Sequence, residues 1–400
     1  MTTDVDRQKF WRQIMARDSA IGRYSGPEQH DARAVAIAGT QTVSLLPFSL
    51  LRPIESIIVV WRGRATVTVA GYADISADAP QNIIQRFVLR GNHTSLGSVV
   101  PWDVSGASAF IYPRHFQRSC GQAFISVNGG ALTRLAEPGV PFTSGFTGAV
   151  GTHDIVLIYS LPIGPLLGGR SQSAKRQGAN YLAYARDYGD SLQLDIQLGD
   201  ASALGDPTGA TVAFTAFGSA AGTPTLQTLV NYGSPGPFEN AAVPGVVIRN
   251  EQLITSVTAA GNQLRIIQAQ KQITNAFILR AGTIETTGQT AGVTTFDTFD
   301  DTLLDRTQFL VDGKQIRRND SNFAERAYLD RFGDIDPMQG HVVLSFIEAN
   351  QVLTAYRGDD PTLKQADMAI FSDLVGVGAN TRVQFIQEYV KGGMYPDLRR

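Results

Sequence analysis

The stretch IESIIVVWRG (54–63) is answered about 220 residues later by ITNAFILRAG (273–282). Four further phrases repeat in the same order. IIQRFVLRGN (83–92) returns as LLDRTQFLVDGK (303–314), and GTHDIVLIYS (151–160) returns as QGHVVLSFI (339–347). LQLDIQLGD (192–200) is matched by MAIFSDLVG (368–376), and TPTLQTLVNY (223–232) by TRVQFIQEYV (381–390). The offset shrinks from about 220 to about 160, because the first copy carries the longer loops. One such match between β-rich strings is unremarkable, whereas five collinear ones predict two copies of one domain.

Each copy holds about eight short runs of β-branched and aromatic residues separated by turn signals, such as the Asn128-Gly129 pair after AFISV. That inventory predicts an all-β chain of two tandem eight-stranded jelly rolls, each a pair of antiparallel sheets with Greek-key connections. Apolar and polar residues alternate imperfectly in several runs, as expected where a neighbouring barrel or subunit covers the second face of a sheet. The predicted units are a short N-terminal amphipathic helix in 1–25, a first jelly roll in 26–235 and a second in 236–400. The polar stretch GPEQHDARA (26–34) reads as a spacer after the helix, and the Gly-rich, basic segment 164–190 as a long excursion loop. Internally, only NDSNFAERAYLDRFG (319–333) has helical spacing, with Asn319, Asp320 or Ser321 available as a cap. The equivalent stretch in the first copy, PWDVSGASAFIYPRHFQ (101–117), does not.

At the N-terminus, Phe10, Trp11, Ile14 and Met15 form one apolar stripe bordered by Arg7, Lys9, Arg12 and Arg17. These four are the candidate contact residues, toward a membrane surface or a neighbouring subunit.

Length supports two domains: 400 residues exceed what one hydrophobic core usually organises. A formal charge of −2 supplies no overall basic field, so nucleic-acid wrapping and sequence-specific nucleic-acid binding are not expected. A lone cysteine, Cys120, cannot form an intrachain disulfide and points to folding in a reducing cytosol. The first residues lack the apolar core of a signal peptide, and no apolar run is long enough to span a bilayer.

Catalytic signatures are missing from the sequence. There is no G-x-S-x-G elbow and no phosphate-binding P-loop. The histidines (His30, His93, His115, His153, His341) show no ligand spacing, so no metal or cofactor is expected. His153 and His341 precede matching strands and read as shared turn architecture. The carboxylates of FDTFDDTLLD (Asp297, Asp300, Asp301, Asp305) and of DRFGDIDPMQG (Asp330, Asp334, Asp336) fit no calcium-loop pattern and read as solvated loops. The cations from Arg170 to Arg186 have Asp187 and Asp190 beside them, again a solvated loop.

Tandem jelly rolls in a chain of this length resemble the double jelly-roll major capsid proteins of tailless icosahedral viruses, the tectivirus-like phages and the adenovirus-hexon lineage. VLIYSLPIGPLLGG…SAKRQGANYL…LQLDIQLGD is similar to that family's passage from a strand through a long polar excursion into an alternating strand. GANTRVQFIQEYVKGGM is similar to its closing strand and tail. The resemblance implies a non-enzymatic structural protein of the virion, assembled in the host cytoplasm into pseudo-hexagonal homotrimeric capsomers. It implies as partners other capsomers, minor capsid and vertex proteins, and internal membrane lipid reached through the N-terminal helix. The rival reading is a β-sandwich receptor- or carbohydrate-binding spike. Such a module stacks sugars on exposed aromatic clusters, and only Trp11, Trp61 and Trp102 are available. A cupin-type enzyme, also a jelly roll, needs converging histidines that the spacing does not supply.

Overall fold

In a computed structural model, the structure describes residues 27–35, 39–44, 54–67, 76–111, 121–135, 150–163, 185–188, 191–199, 204, 212–232, 246–254, 263–267, 273–284, 296–311, 314–319, 339–345, 356–357, 368–375 and 377–391. Phe10, Trp11, Ile14 and Met15, residues 320–333 of the segment expected to be helical, and most of the 164–190 segment lie outside them.

The first half supplies β1 (Pro27–Ala34), β2 (Gly39–Ser44), β3 (Ile54–Val67), β4 (Ile84–His93), β5 (Gly97–Val104) and β6 (Gln122–Val127). It continues with β7 (Thr133–Arg134), β8 (Gly151–Pro162), β9 (Gln193–Leu198), β10 (Val212–Thr215) and β11 (Thr225–Tyr232). These pair in two sheets, one ordered β1-β11-β3-β8-β6-β7 and the other running β2-β9-β4-β5. The second half supplies β12 (Val246–Ile254), β13 (Gln263–Ile267), β14 (Ile273–Ile284), β15 (Phe296–Phe299) and β16 (Leu304–Val311). It ends with β17 (Lys314–Asn319), β18 (His341–Ser345), β19 (Tyr356–Arg357), β20 (Met368–Leu374) and β21 (Thr381–Lys391). Here β12-β21-β14-β18 forms one sheet and β13-β20-β16-β17 the other.

The two halves therefore repeat one pairing scheme. The first-copy order β1-β11-β3-β8 matches β12-β21-β14-β18, and β2-β9-β4-β5 matches β13-β20-β16-β17. Each of the five repeated sequence phrases falls on a matched strand pair: β3 with β14, β4 with β16, β8 with β18, β9 with β20, and β11 with β21. The fold is a tandem of jelly rolls. In β3, Ile57 and Val59 point into the first barrel's core. In β14, Phe277 and Leu279 are equally buried, and Phe277 stacks on Phe385 at 5.3 Å between ring centroids.

Two segments differ from the sequence reading. Pro27–Ala34 is a strand rather than a spacer: it is the outer strand of its sheet, antiparallel to β11. An edge strand needs pairing on one side only and keeps polar residues such as Asp31 and Arg33, so it carries little apolar signal. The first copy also has a helix, α1 (Gly106–Ile111), with all six residues buried. Six buried residues cannot display an amphipathic period. What starts the helix is Ser105, whose Oγ accepts the Ser108 N–H at 3.2 Å as an N-cap. A second short helix, α2 (Ala185–Tyr188), sits near the end of the 164–190 segment.

The Asn-Gly turn forms where expected. Asn128 (φ 50°) and Gly129 (φ 76°) adopt the left-handed backbone that this dipeptide tolerates.

Candidate functional site

The described residues contain no group of three or more His, Cys, Asp or Glu able to hold a metal ion, and no helix long and apolar enough to cross a membrane. Their concentrated chemistry lies instead between the barrels. β12 pairs antiparallel with β21 on one side and parallel with the first barrel's β5 on the other, through Arg249↔Trp102 and Asn250↔Asp103. That parallel contact merges sheets from both barrels into one ten-stranded sheet among the described residues.

Side chains on a strand alternate between two faces. In β14 and β21 both faces are buried: Phe277, Leu279, Val383 and Phe385 fill their own barrel. Ile278 and Ile386, on the opposite face, belong to the same apolar cluster as the first barrel's core. The neighbouring barrel is thus the physical reason for the blurred alternation in the sequence.

Around those two isoleucines runs a buried polar network. His341, Arg280 and Gln384 lie side by side on β18, β14 and β21, since Arg280 is the cross-strand partner of both others. Arg280 is fully buried. Its Nη2 pairs with Asp78 of the first barrel, and its Nη1 donates to Ser108 Oγ on α1 at 2.9 Å and to Gln384 Oε1 at 2.6 Å. Its Nε donates to His341 Nε2 at 3.1 Å. The guanidinium also lies over the Phe296 and Phe299 rings, 5.2 and 5.0 Å from their centroids. Gln384 relays the contact, with Nε2 donating to Glu251 Oε1 at 2.5 Å. Glu251 Oε2 in turn accepts from Ser105 Oγ at 2.9 Å and from Ser105 N at 3.2 Å.

A second buried arginine anchors the same face. Arg249 Nε donates to Glu388 Oε2 at 3.0 Å, both side chains being wholly buried. Its Nη1 donates to the Pro162 carbonyl at 3.0 Å, and Trp102 Nε1 donates to that same oxygen, also at 3.0 Å. The Arg249 guanidinium stacks 4.5 Å from the Trp102 ring centroid.

Burial drives the carboxyl groups of this seam upward. Asp78 is raised by desolvation, against the opposing pull of the Arg280 charge and the Phe296 N–H. Glu251 is raised by desolvation too, opposed by the Ser108 and Ser105 hydrogen bonds and the more distant Arg280 charge. An ion pair buried this completely is costly to desolvate and more costly to break. Its plain effect is to fix how one barrel sits on the other.

The residues singled out from sequence distribute differently. His341 is in the seam, while His153 is buried within β8 opposite Ala65, so the two histidines do not share a role. Asp300 accepts from Thr302 N at 2.8 Å and Thr302 Oγ1 at 2.7 Å, and Asp301 accepts from Gly340 N at 2.7 Å. These carboxylates shape their turn. Cys120 and the candidate contacts Phe10, Trp11, Ile14 and Met15 lie outside the described residues. In the sequence the seam has no signature beyond Arg249 and Glu251 two residues apart on β12 and Gln384 and Glu388 four apart on β21, with which β12 pairs.

Sequence comparison finds no matching family model and no matching curated relative. Comparison of structures finds viral capsid proteins along nearly the whole chain. The crystal structure of the STIV major capsid protein aligns with a TM-score of 0.55 at 12% identity, covering 91% of this chain and 96% of that one. The major capsid protein of bacteriophage PM2 aligns at 0.52 and 10% identity, covering 93% and 98%. A chain of the PBCV-1 virus capsid aligns at 0.51 and 10%, covering 92% and 95%. At such low identities the shared property is the path of the backbone, and that path is the double jelly roll of viral major capsid proteins.

Proposed function

We propose that this chain is the major structural subunit of an icosahedral virus shell, a building block rather than an enzyme. The observation that carries the reading is the tandem itself: two sets of strands in one order, from Pro27 to Tyr232 and from Val246 to Lys391, joined by a buried seam; we take the two barrels to be 26–235 and 236–400. Three such chains in a ring would present six barrels, a pseudo-hexagonal capsomer able to tile a closed surface. Its partners would be other capsomers, minor capsid and vertex proteins, in a particle assembled in the host cytoplasm. The stripe Phe10, Trp11, Ile14 and Met15 would lie against an internal membrane or a neighbouring capsomer.

Native mass measurement with negative-stain imaging tests the assembly. The expected species is a trimer that survives dilution. A monomer at micromolar concentration across all salt conditions would count against a shell role. Removal of residues 1–20, or Trp11→Asp, is expected to leave a folded trimer by circular dichroism and size exclusion while lowering particle yield or membrane association. Normal particles from the truncated chain would remove the N-terminal stripe from the scheme.

A further inference from the structure

The guanidinium Nε of Arg280 can only donate, so His341 Nε2, 3.1 Å away, must be a bare acceptor. The ring's one proton then sits on Nδ1, which donates to the Gln339 carbonyl at 2.7 Å. His341 is 2% exposed and lies against the Phe299 ring, centroids 4.8 Å apart, so its contact with the buried Arg280 is shielded from water. A second proton on this imidazole would set an N–H against a permanently charged N–H in a buried site. We propose that His341 is a proton-sensitive latch between the barrels: neutral, it helps hold Arg280 across the seam, and protonated, it expels Arg280 and loosens the second barrel from the first.

The surrounding charges set the sign. Facing His341 from its own sheet is Arg280 on β14, which opposes the imidazolium. Asp78, from the first barrel, is already paired with Arg280. Asp301, on the turn after β15, accepts from the N–H of Gly340, the residue before His341, and so is a carboxylate near the ring that would favour the imidazolium. In the folded arrangement both ring nitrogens are engaged by the neutral form, Nε2 accepting from Arg280 and Nδ1 donating to the Gln339 carbonyl. A histidine kept neutral in the closed seam and free to protonate once the seam opens stabilises closure above about pH 6.5, and that stability is lost as pH falls below it. Asp78 and Glu251 act in the opposite direction. Burial raises both, so acid relieves them rather than straining them. The histidine must therefore be isolated by comparison with a variant that keeps both carboxylates.

His341→Gln is that variant, since its amide oxygen can accept from Arg280 and does not titrate. Amide hydrogen exchange, corrected for intrinsic pH dependence, is read on peptides covering the β5–β12 junction (97–104 and 246–254) at pH 7.5 and 5.5. The acid-induced increase in opening should be about tenfold larger in the natural protein than in His341→Gln, the factor expected for one histidine over that interval. Equal pH ratios in the two proteins would overturn the proposal. Should the variant fail to fold, ¹⁵N-histidine NMR of the natural protein decides. A neutral, Nδ1-protonated signal persisting to pH 5.5 is expected, and its absence would overturn the latch. His93 cannot supply that signal, because its Nδ1 accepts the Ser95 N–H at 3.3 Å and so carries no proton.

Discussion

Every nitrogen of the Arg280 guanidinium is engaged, and its four hydrogen-bonding partners come from four different segments of the chain. Replacing it with Met would strand Asp78 as an unpaired buried carboxylate. The expected cost is about 3–5 kcal/mol in urea unfolding, and adding Asp78→Leu should recover much of it, because removing both charges removes the desolvation penalty as well. A different ion pair reports acid sensitivity. Arg64 grips Asp154 through two bonds of 2.7 and 2.8 Å, and Gly218 N donates to the same carboxylate at 2.9 Å. The Arg64 hydrogen bonds, then the Gly218 N–H, hold Asp154 below its ordinary value against the opposing effect of burial. A depressed carboxyl contributes stability above the unfolded value of about 3.9 and loses it as pH falls through the folded value. Asp154→Asn should therefore be less stable than the natural protein by about 2 kcal/mol at neutral pH, with the two curves converging in acid. Chemical denaturation at a series of pH values checks both the gap and its closure.

At the scale of elements, the strands that were legible in the sequence are those whose apolar residues face a core. The β3, β8 and β14 runs announce themselves because Ile, Val and Leu dominate them. The edge strand β1 is not legible, since its own residues are mostly polar and its place in the sheet rests on backbone pairing with β11. Nor is α1, whose signal is one serine cap and one close approach: a Cβ on Gly106 would run into the Ile84 carbonyl oxygen at the start of β4. Gly106→Ala is accordingly expected to destabilise the protein by about 1–3 kcal/mol, the usual range for overpacking against an unyielding backbone. It should do so without altering the far-ultraviolet circular dichroism of the folded state. The seam escaped sequence reading for a related reason. Arg249, Glu251, Gln384 and Glu388 have the appearance of a solvated strand face until the strand order shows that another barrel covers it.

For the whole molecule, the shared seam predicts that the barrels do not unfold independently. Trp102, Ile278, Ile386 and both buried arginines would be exposed in either half alone, so calorimetry of the intact chain should show one transition rather than two. Two resolved transitions would mean that the junction adds little. The geometry of that junction carries a further consequence. The outward face of β14 and β21 meets the first barrel at Asp78 and Ser108, whereas among the described residues the matching face of β3, β8 and β11 is less fully buried. It shows Ile58, Ile158 and Leu229, all partly exposed, at positions that alternate with the core residues. A joint of this kind is head-to-tail, and every head-to-tail joint leaves one unmated face at each end of the series. Repetition of the same step either closes on itself or continues without limit, according to its turn angle. A turn of about 60° per barrel closes after three chains, so that rotation is the quantity that decides between a finite ring and an endless ribbon.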